Sequence, residues 1–429
     1  MNPNPHTEPK LPGMQRLHRR FQVATPVDIE TELTREWSRI RDHLQLKPGS
    51  RVAVGVGSRG ISNLKDVVAG VVARLKGAGY LPFILPAMGS HGGATAEGQV
   101  AVLRARGITE ESVGAPVQAT MDVNSMGEAD GIPLFLNRLA HEADAIVPIN
   151  RVKPHTNFIG PTESGLIKMM AIGFGNQVGA EHYHRLSVVR PQYEILSTAG
   201  KAVIARSPIL FGVALLENHD HQTAQVKMAL PHEIEAVETE LLKKARAWLP
   251  LLPLDDIDLL IIDEMGKDIS GEGIDPNVVG RDVCAYGVER PLPRITRIFV
   301  RDLSEGSEGS AIGIAQADFT TRRLVDKIDF QATAINCLTA CAPEAAKIPL
   351  AYDTDREAIE VALKTIRPCK TEDIRLVHIK NTMELSHMMV SEGCLPTLKQ
   401  IKGQHVGEEV LELLFDSMGN LISLFSDDR

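Results

Sequence analysis

The sequence predicts an α/β protein of two α/β domains with a ligand cleft between them. Short apolar runs alternate with amphipathic stretches of helical period, and glycine-rich turns follow several of those runs. The chain has 429 residues, more than a single core fills, since cores stop growing near ~250–300 residues. A proline-rich junction, LPLLPLDD, places the boundary near Pro250. The expected organisation is a flexible N-terminal segment (1–20), an N-terminal domain (21–250) and a C-terminal domain (251–429).

Taken in order, the residues up to about Gly13 are expected to be disordered. RVAVGVG, from Arg51, reads as a buried strand. NLKDVVAGVVARLKGAG is an amphipathic helix stopped by glycine, and LPFILPA is the next strand. TAEGQVAVLRARG is helical, PVQATM a strand, LFLNRLAHEA a helix, and AIVPIN and FGVALLEN strands. HEIEAVETELLKKARAWL closes the first half as an amphipathic helix. In the second half IDLLIID, RITRIFV and IRLVHI read as strands, and DFTTRRLVDKI and DREAIEVALKTI as helices. VGEEVLELLFDSMGNLISLF carries a helical pattern whose apolar spacing implies packing or dimerisation.

Composition narrows the function classes. With 43% hydrophobic and 24% charged residues the chain is an ordinary globular protein. A net charge of -9 and the lack of a long basic run argue against nucleic acid as a partner. The first twenty residues lack the apolar core of a signal peptide, and no apolar run reaches membrane-spanning length, so a cytoplasmic protein without a membrane partner is expected. The five cysteines are scattered, without a Cys-x-x-Cys pair, so neither a disulfide framework nor a metal cluster is indicated. Cys337 and Cys341 read as small core residues.

Ligands of parallel α/β sheets sit beyond the carboxyl ends of the strands. Three glycine-containing loops fall there: GSRGISN, MGSHGGAT and NRVKPHTNFIGPTESG. None is a phosphate loop, and none fits the dinucleotide fingerprint in its helix-opening context. The stretch from Asn150 to Arg185 is the densest in chemistry. His155, after Pro154, is held on a loop, either as a surface residue or as an acid/base group. His91 carries the same two readings, with Gly92 and Gly93 allowing close backbone approach. Lys168 lies in the apolar run SGLIKMMAIG, where it either snorkels to water or serves as a desolvated amine. His182 and His184 are two apart, so only one of them points at a given ligand. ENHDHQ reads as a polar turn, and EMGKDISGEGID as a charged, glycine-rich loop that would close a cleft.

GSRG, MGSHGG, KPHTNF, SGLIKMM and GAEHYH, in this order and spacing, resemble the N-terminal domain of the nickel-dependent lactate racemase family, in its broad uncharacterised branch. The likeness spans Arg51 to Glu217 and continues more loosely through DEMGKDISGEGIDPNVVGR. The resemblance implies that residues 21–250 bind a nickel pincer nucleotide, a pyridinium mononucleotide whose metal is held by its own carbon and sulfur atoms and by one protein histidine. It implies His91 and His155 as the acid/base pair, Lys168 as the residue that tethers the cofactor, and His184 as the nickel ligand, with His182 as the alternative. Arg59 would meet the anionic substrate or the cofactor phosphate, and Ser58, Ser90 and Gly92 would line the cofactor. Lys267 and Arg281 are the substrate-facing candidates of the second domain. The chain departs from the family at Val56, where an acidic residue is usual, and at Gly165-Leu166-Ile167-Lys168, where the family has Gly-Gly-Arg-Lys.

The function implied is racemisation or epimerisation of a 2-hydroxy carboxylate by proton-coupled hydride transfer, with cofactor-synthesis enzymes as partners and a homodimer as a candidate assembly. The competing readings are a non-nickel oxidoreductase or lyase on the same fold, and a non-catalytic nucleotide- or metal-binding protein.

Overall fold

The computed structural model describes residues 10–21, 24–58 and 60–425. In chain order its strands are β1 (Met14–Arg19), β2 (Arg51–Val56), β3 (Leu81–Pro86), β4 (Val123–Ala129), β5 (Ile132–Asn137), β6 (Ala145–Arg151), β7 (Gly212–Glu217), β8 (Thr223–Ala229), β9 (Asp256–Met265), β10 (Arg294–Leu303), β11 (Phe319–Thr321), β12 (Leu350–Tyr352), β13 (Leu376–Ile379), β14 (His387–Ser391) and β15 (Gln404–Val406). The fold is α/β, and it divides into two compact units. One comprises Gln22–Leu249, and the other runs from Pro250 onward together with the N-terminal strand through Phe21.

In the N-terminal unit the sheet order is β3-β2-β6-β7-β8, parallel except for the β7/β8 hairpin. Strand β2 shows why the two faces differ. Val52, Val54 and Val56 point into a core built with Leu33, Val68 and Leu75 of the helices Ile29–Ile40 and Leu64–Gly77. The alternate residues, Ala53 and Gly55, are small. A Cβ on Gly55 would stand 2.2 Å from Cζ of Phe174, so glycine there admits the ring that anchors the chain just after Lys168. The chain steps from β2 outward to β3 and then returns to β6 on the other side of β2, which makes the β2/β6 crevice the switch point of the sheet.

In the C-terminal unit eight strands follow the order β12-β11-β10-β9-β13-β14-β1-β15, parallel from β12 through β13 and antiparallel beyond. The run LLII of β9 is apolar throughout because both faces are covered. Leu260 and Ile262 join one core, and Leu259 and Ile261 the other.

Several expectations are corrected. The segment expected to be flexible includes Met14–Arg19, which is strand β1 between β14 and β15, with Met14 and Leu17 fully buried on opposite faces. Residues 1–9 lie outside the described residues. LFLN of the expected helix LFLNRLAHEA is strand β5, and only Arg138–His141 is helical. PVQATM contributes a single bridge, Val117 to Ile84. The start of DFTTRRLVDKI is strand β11. The C-terminal apolar pattern is extended rather than helical, tied by bridges Met14–Leu411 and Phe415–Leu421. Leu413 and Leu421 instead pack on helix Asp355–Lys364, so tertiary burial overrides the local period. Cys337 is buried and Cys341 half-buried.

Candidate functional site

The loops that follow β2, β3 and β6 lie at the carboxyl ends of three adjacent parallel strands. The loop after β6 is folded around a buried carboxylate. Lys153 and Ser164 close its base by exchanging backbone hydrogen bonds of 3.0 and 3.2 Å. Glu163, 3% exposed, accepts from the His155 backbone N–H at 2.5 Å and the Gly160 N–H at 3.1 Å, and pairs with Arg246 of helix Ile234–Trp248. A buried carboxylate with this many donors is compensated. It fixes the backbone on which His155 is mounted.

The His155 ring stacks on Phe158 at 4.2 Å between centroids. Its Nδ1 accepts from the Asn157 N–H at 3.0 Å, and its Nε2 lies 2.5 Å from Nζ of Lys168. The two nitrogens are in direct hydrogen-bond contact, with the donor set by the ring's tautomer. Of the two readings of Lys168, its half-buried amine is in contact with a histidine rather than simply reaching for water.

Lys168 ends the short helix Leu166–Lys168 and leads into a π-helical turn, Met169–Gly173. Such turns recur at functional sites because they re-aim side chains within a helix. The following helix, Asn176–Ser187, carries both late histidines and separates them. His182 is exposed, with its ring 5.7 Å from Phe135. His184 turns inward, where its Nδ1 lies 3.5 Å from Gln192 Nε2. Burial, and secondarily the proximity of Lys168, push the His184 imidazole down to about 4, so its nitrogen lone pair is available at neutral pH.

His91 sits on the loop after β3. That loop is drawn onto the Lys168 segment at Gly89 (φ +64°), whose N–H donates to Gly173 O at 3.2 Å and where a Cβ would meet Ile172 at 3.1 Å. The buried Gln99 side chain donates to Gly89 O at 2.9 Å. His91 itself is exposed, and its Nδ1 is hydrogen-bonded to Ser58 Oγ, which joins the loops after β2 and β3. Ser90 precedes it, and Gly92 (φ +68°) has no room for a Cβ, which would fall 2.6 Å from the Gly98 carbonyl carbon. Glu217, at the end of β7, accepts from Ser62 N–H at 2.7 Å and pairs with Arg151 of β6, tying the loop after β2 to the switch point. Arg59 lies outside the described residues.

The structure thus joins His155 to Lys168 by a hydrogen bond and leaves His184 near enough to feel the lysine's charge, while the Ser58–His91 pair joins the loops after β2 and β3. Glu163 and Glu238 were missed by sequence reasoning. Both are carboxylates whose importance comes from burial, and no local motif signals it. Within the C-terminal unit, Lys267 lies just past the end of β9, its amine bonded to Asn336 Oδ1. Arg281 donates to Gln316 O at 2.7 Å, Asp318 at 2.9 Å and Ile295 O at 3.0 Å, bonds that hold its own loop. Among the described residues, no group of three or more His, Cys, Asp or Glu is arranged to hold a metal ion, and no helix is long and apolar enough to cross a membrane.

No family model and no curated protein matches the chain. Among solved structures, the lactate racemase apoprotein from Thermoanaerobacterium thermosaccharolyticum is similar over 82% of this chain and 88% of that chain, at 13% identity and a TM-score of 0.47. At that identity the residues of the site have to carry the functional reading.

Proposed function

We propose that the protein is a racemase or epimerase of a 2-hydroxy acid, working with a nickel pincer nucleotide bound in the N-terminal unit. The observation that carries the proposal is the His155–Lys168 contact at the carboxyl end of the sheet, with His184 within electrostatic reach of that lysine. The donor set fits the cofactor. A bare metal ion needs several protein ligands, whereas a metal already held by a nucleotide's own atoms needs one neutral histidine. His184 would be that ligand and Lys168, hydrogen-bonded to His155, the covalent anchor. Ser58, Ser90 and Gly92 would line the cofactor, and Arg59 would meet an anionic group.

Such a cofactor supplies reversible hydride acceptance, which avoids drawing a proton from carbon beside a carboxylate that is already an anion. The residues of the chain then handle the hydroxyl proton. His155 exchanges it at Nε2, and His91 at the ring nitrogen that Ser58 does not engage. Two imidazoles on separate loops serve opposite enantiomers.

The test is metal analysis and mass spectrometry on protein co-expressed with the cofactor-synthesis enzymes. One nickel per chain is expected, reduced in His184→Ala, together with a cofactor-sized adduct absent from Lys168→Ala and racemisation of a 2-hydroxy acid. Clean apoprotein from a host that loads a known racemase would overturn the proposal. Bound nicotinamide dinucleotide without nickel would favour an ordinary oxidoreductase.

A further inference from the structure

Glu238 lies on helix Ile234–Trp248, fully buried, and takes no part in the chemistry above. Its Oε2 accepts from the Ile167 N–H at 3.0 Å, and the Leu166 N–H also points at the carboxylate. These are the first amides of the short helix that ends at Lys168, so Glu238 caps that turn from across the core. Gly165, just before the turn, is pressed against the same carboxylate. A Cβ there would lie 2.4 Å from the carboxyl carbon of Glu238. On the other side the turn is fixed by Gly200, whose Cβ would fall 2.2 Å from Ile167 O. The turn is thus clamped between two helices, with one ionisable group in the clamp. The other carboxylate oxygen, Oε1, has no hydrogen-bond partner among the described residues.

We infer that Glu238 is a positioning residue for Lys168: by accepting the amides of the turn it holds the lysine amine against His155 Nε2, and it does so more strongly as a carboxylate than as a carboxylic acid. The physical basis is the greater strength of a hydrogen bond to an ionised acceptor. Burial raises the Glu238 carboxyl to about 7, with the two backbone amides opposing the rise, so both forms are populated near neutrality. The charged groups facing it are Glu235, on its own helix, and Lys201, on helix Gln192–Arg206, and these two pair with each other. When Glu238 is ionised, Lys168 is held against His155, whose imidazole takes up its proton as the amine attacks. When Glu238 is protonated, the clamp loosens and the amine moves away from that base. The inference rests on the proposed role of Lys168 as the reactive amine and is independent of nickel.

The experiment measures acetic anhydride labelling of the full-length protein between pH 6 and 8.5, with the rate at Lys168 read by peptide mass spectrometry against exposed Lys243. Wild type should show a Lys168 rate that falls, relative to Lys243, by roughly tenfold more between pH 8 and 6 than in Glu238→Gln, the order expected for exchanging a charged acceptor for a neutral one. Glu238→Gln keeps the shape and an acceptor oxygen, so the extra pH step should vanish while the protein stays folded. Gly165→Ala, which pushes a methyl group at the carboxylate without altering residue 238, should depress Lys168 labelling and is the second arm if Glu238→Gln fails to fold. Superimposable wild-type and Glu238→Gln profiles, or a Gly165→Ala protein with wild-type labelling, would overturn the inference. Because the labelling needs no cofactor, a chain that never loads nickel but shows the step would sink the proposed function and leave Glu238 in its role.

Discussion

At the scale of the residue, the molecule places carboxylates where sequence alone shows only charge. Glu163 and Glu238 sit in ordinary helix and loop contexts, and their roles follow from which amides the fold aims at them. The histidines were more legible, because glycine and proline neighbours marked their loops. The choice between His182 and His184 needed the helix, which turns only one of them inward. The C-terminal unit offers a clear residue-scale prediction. Asp263 is buried, which by itself works upward on its carboxyl, but the charges of His378 (2.6 Å) and Arg301 (2.6 Å) hold it down to about 2. A carboxyl with a depressed folded value stabilises the protein above its unfolded value near 4. That contribution, about 2 kcal/mol, is lost as pH falls from about 4 toward 2. Urea unfolding at pH 5, 4, 3 and 2.5 should therefore show an acid limb for the C-terminal unit that is shallower in Asp263→Asn. Equal slopes for the two proteins would refute the assignment.

At the scale of the element, what the sequence revealed were strands buried on both faces and helices with a clean apolar stripe. RVAVGVG, AIVPIN and IDLLIID are strands β2, β6 and β9, and the helix after the first ended at the expected glycine. The misread elements share one cause. LFLN and the C-terminal LELLF have apolar residues at spacings that suit either a helix or a strand, and only a partner strand or a core decides. For LFLN the partner is β4, and for the C-terminal segment it is the face of helix Asp355–Lys364. Strand β2 yields the prediction at this scale. Gly55→Ala should force Phe174 aside and cost about 1–3 kcal/mol, the usual range for overpacking a filled core. The double variant Gly55→Ala/Phe174→Leu should recover part of that loss in thermal unfolding. Additive, unrecovered destabilisation would mean that the two residues do not contest the same space.

At the scale of the whole molecule, length and the proline-rich junction announced two bodies, but nothing local announced that the first strand of the chain belongs to the second of them. Pairing across almost the entire sequence leaves no short-range trace. The arrangement predicts that Leu17→Asp, a charge buried in the second unit's core, will unfold the C-terminal unit and spare Gln22–Leu249. Hydrogen exchange resolved along the chain should show protection lost from Pro250 onward and kept in β2, β3 and β6. Uniform loss through both units would contradict it. The same strand has a consequence for how the molecule is made. On the ribosome β1 emerges well before its neighbours β14 and β15, which follow some 370 residues later. At ordinary synthesis rates that is an interval of about 20–70 s. For that time Met14 and Leu17, destined for two dry interiors, travel as a solvent-exposed edge without a sheet. A chaperone that grips the nascent β1 would set the yield of folded protein by acting on a strand whose partners have not yet been translated.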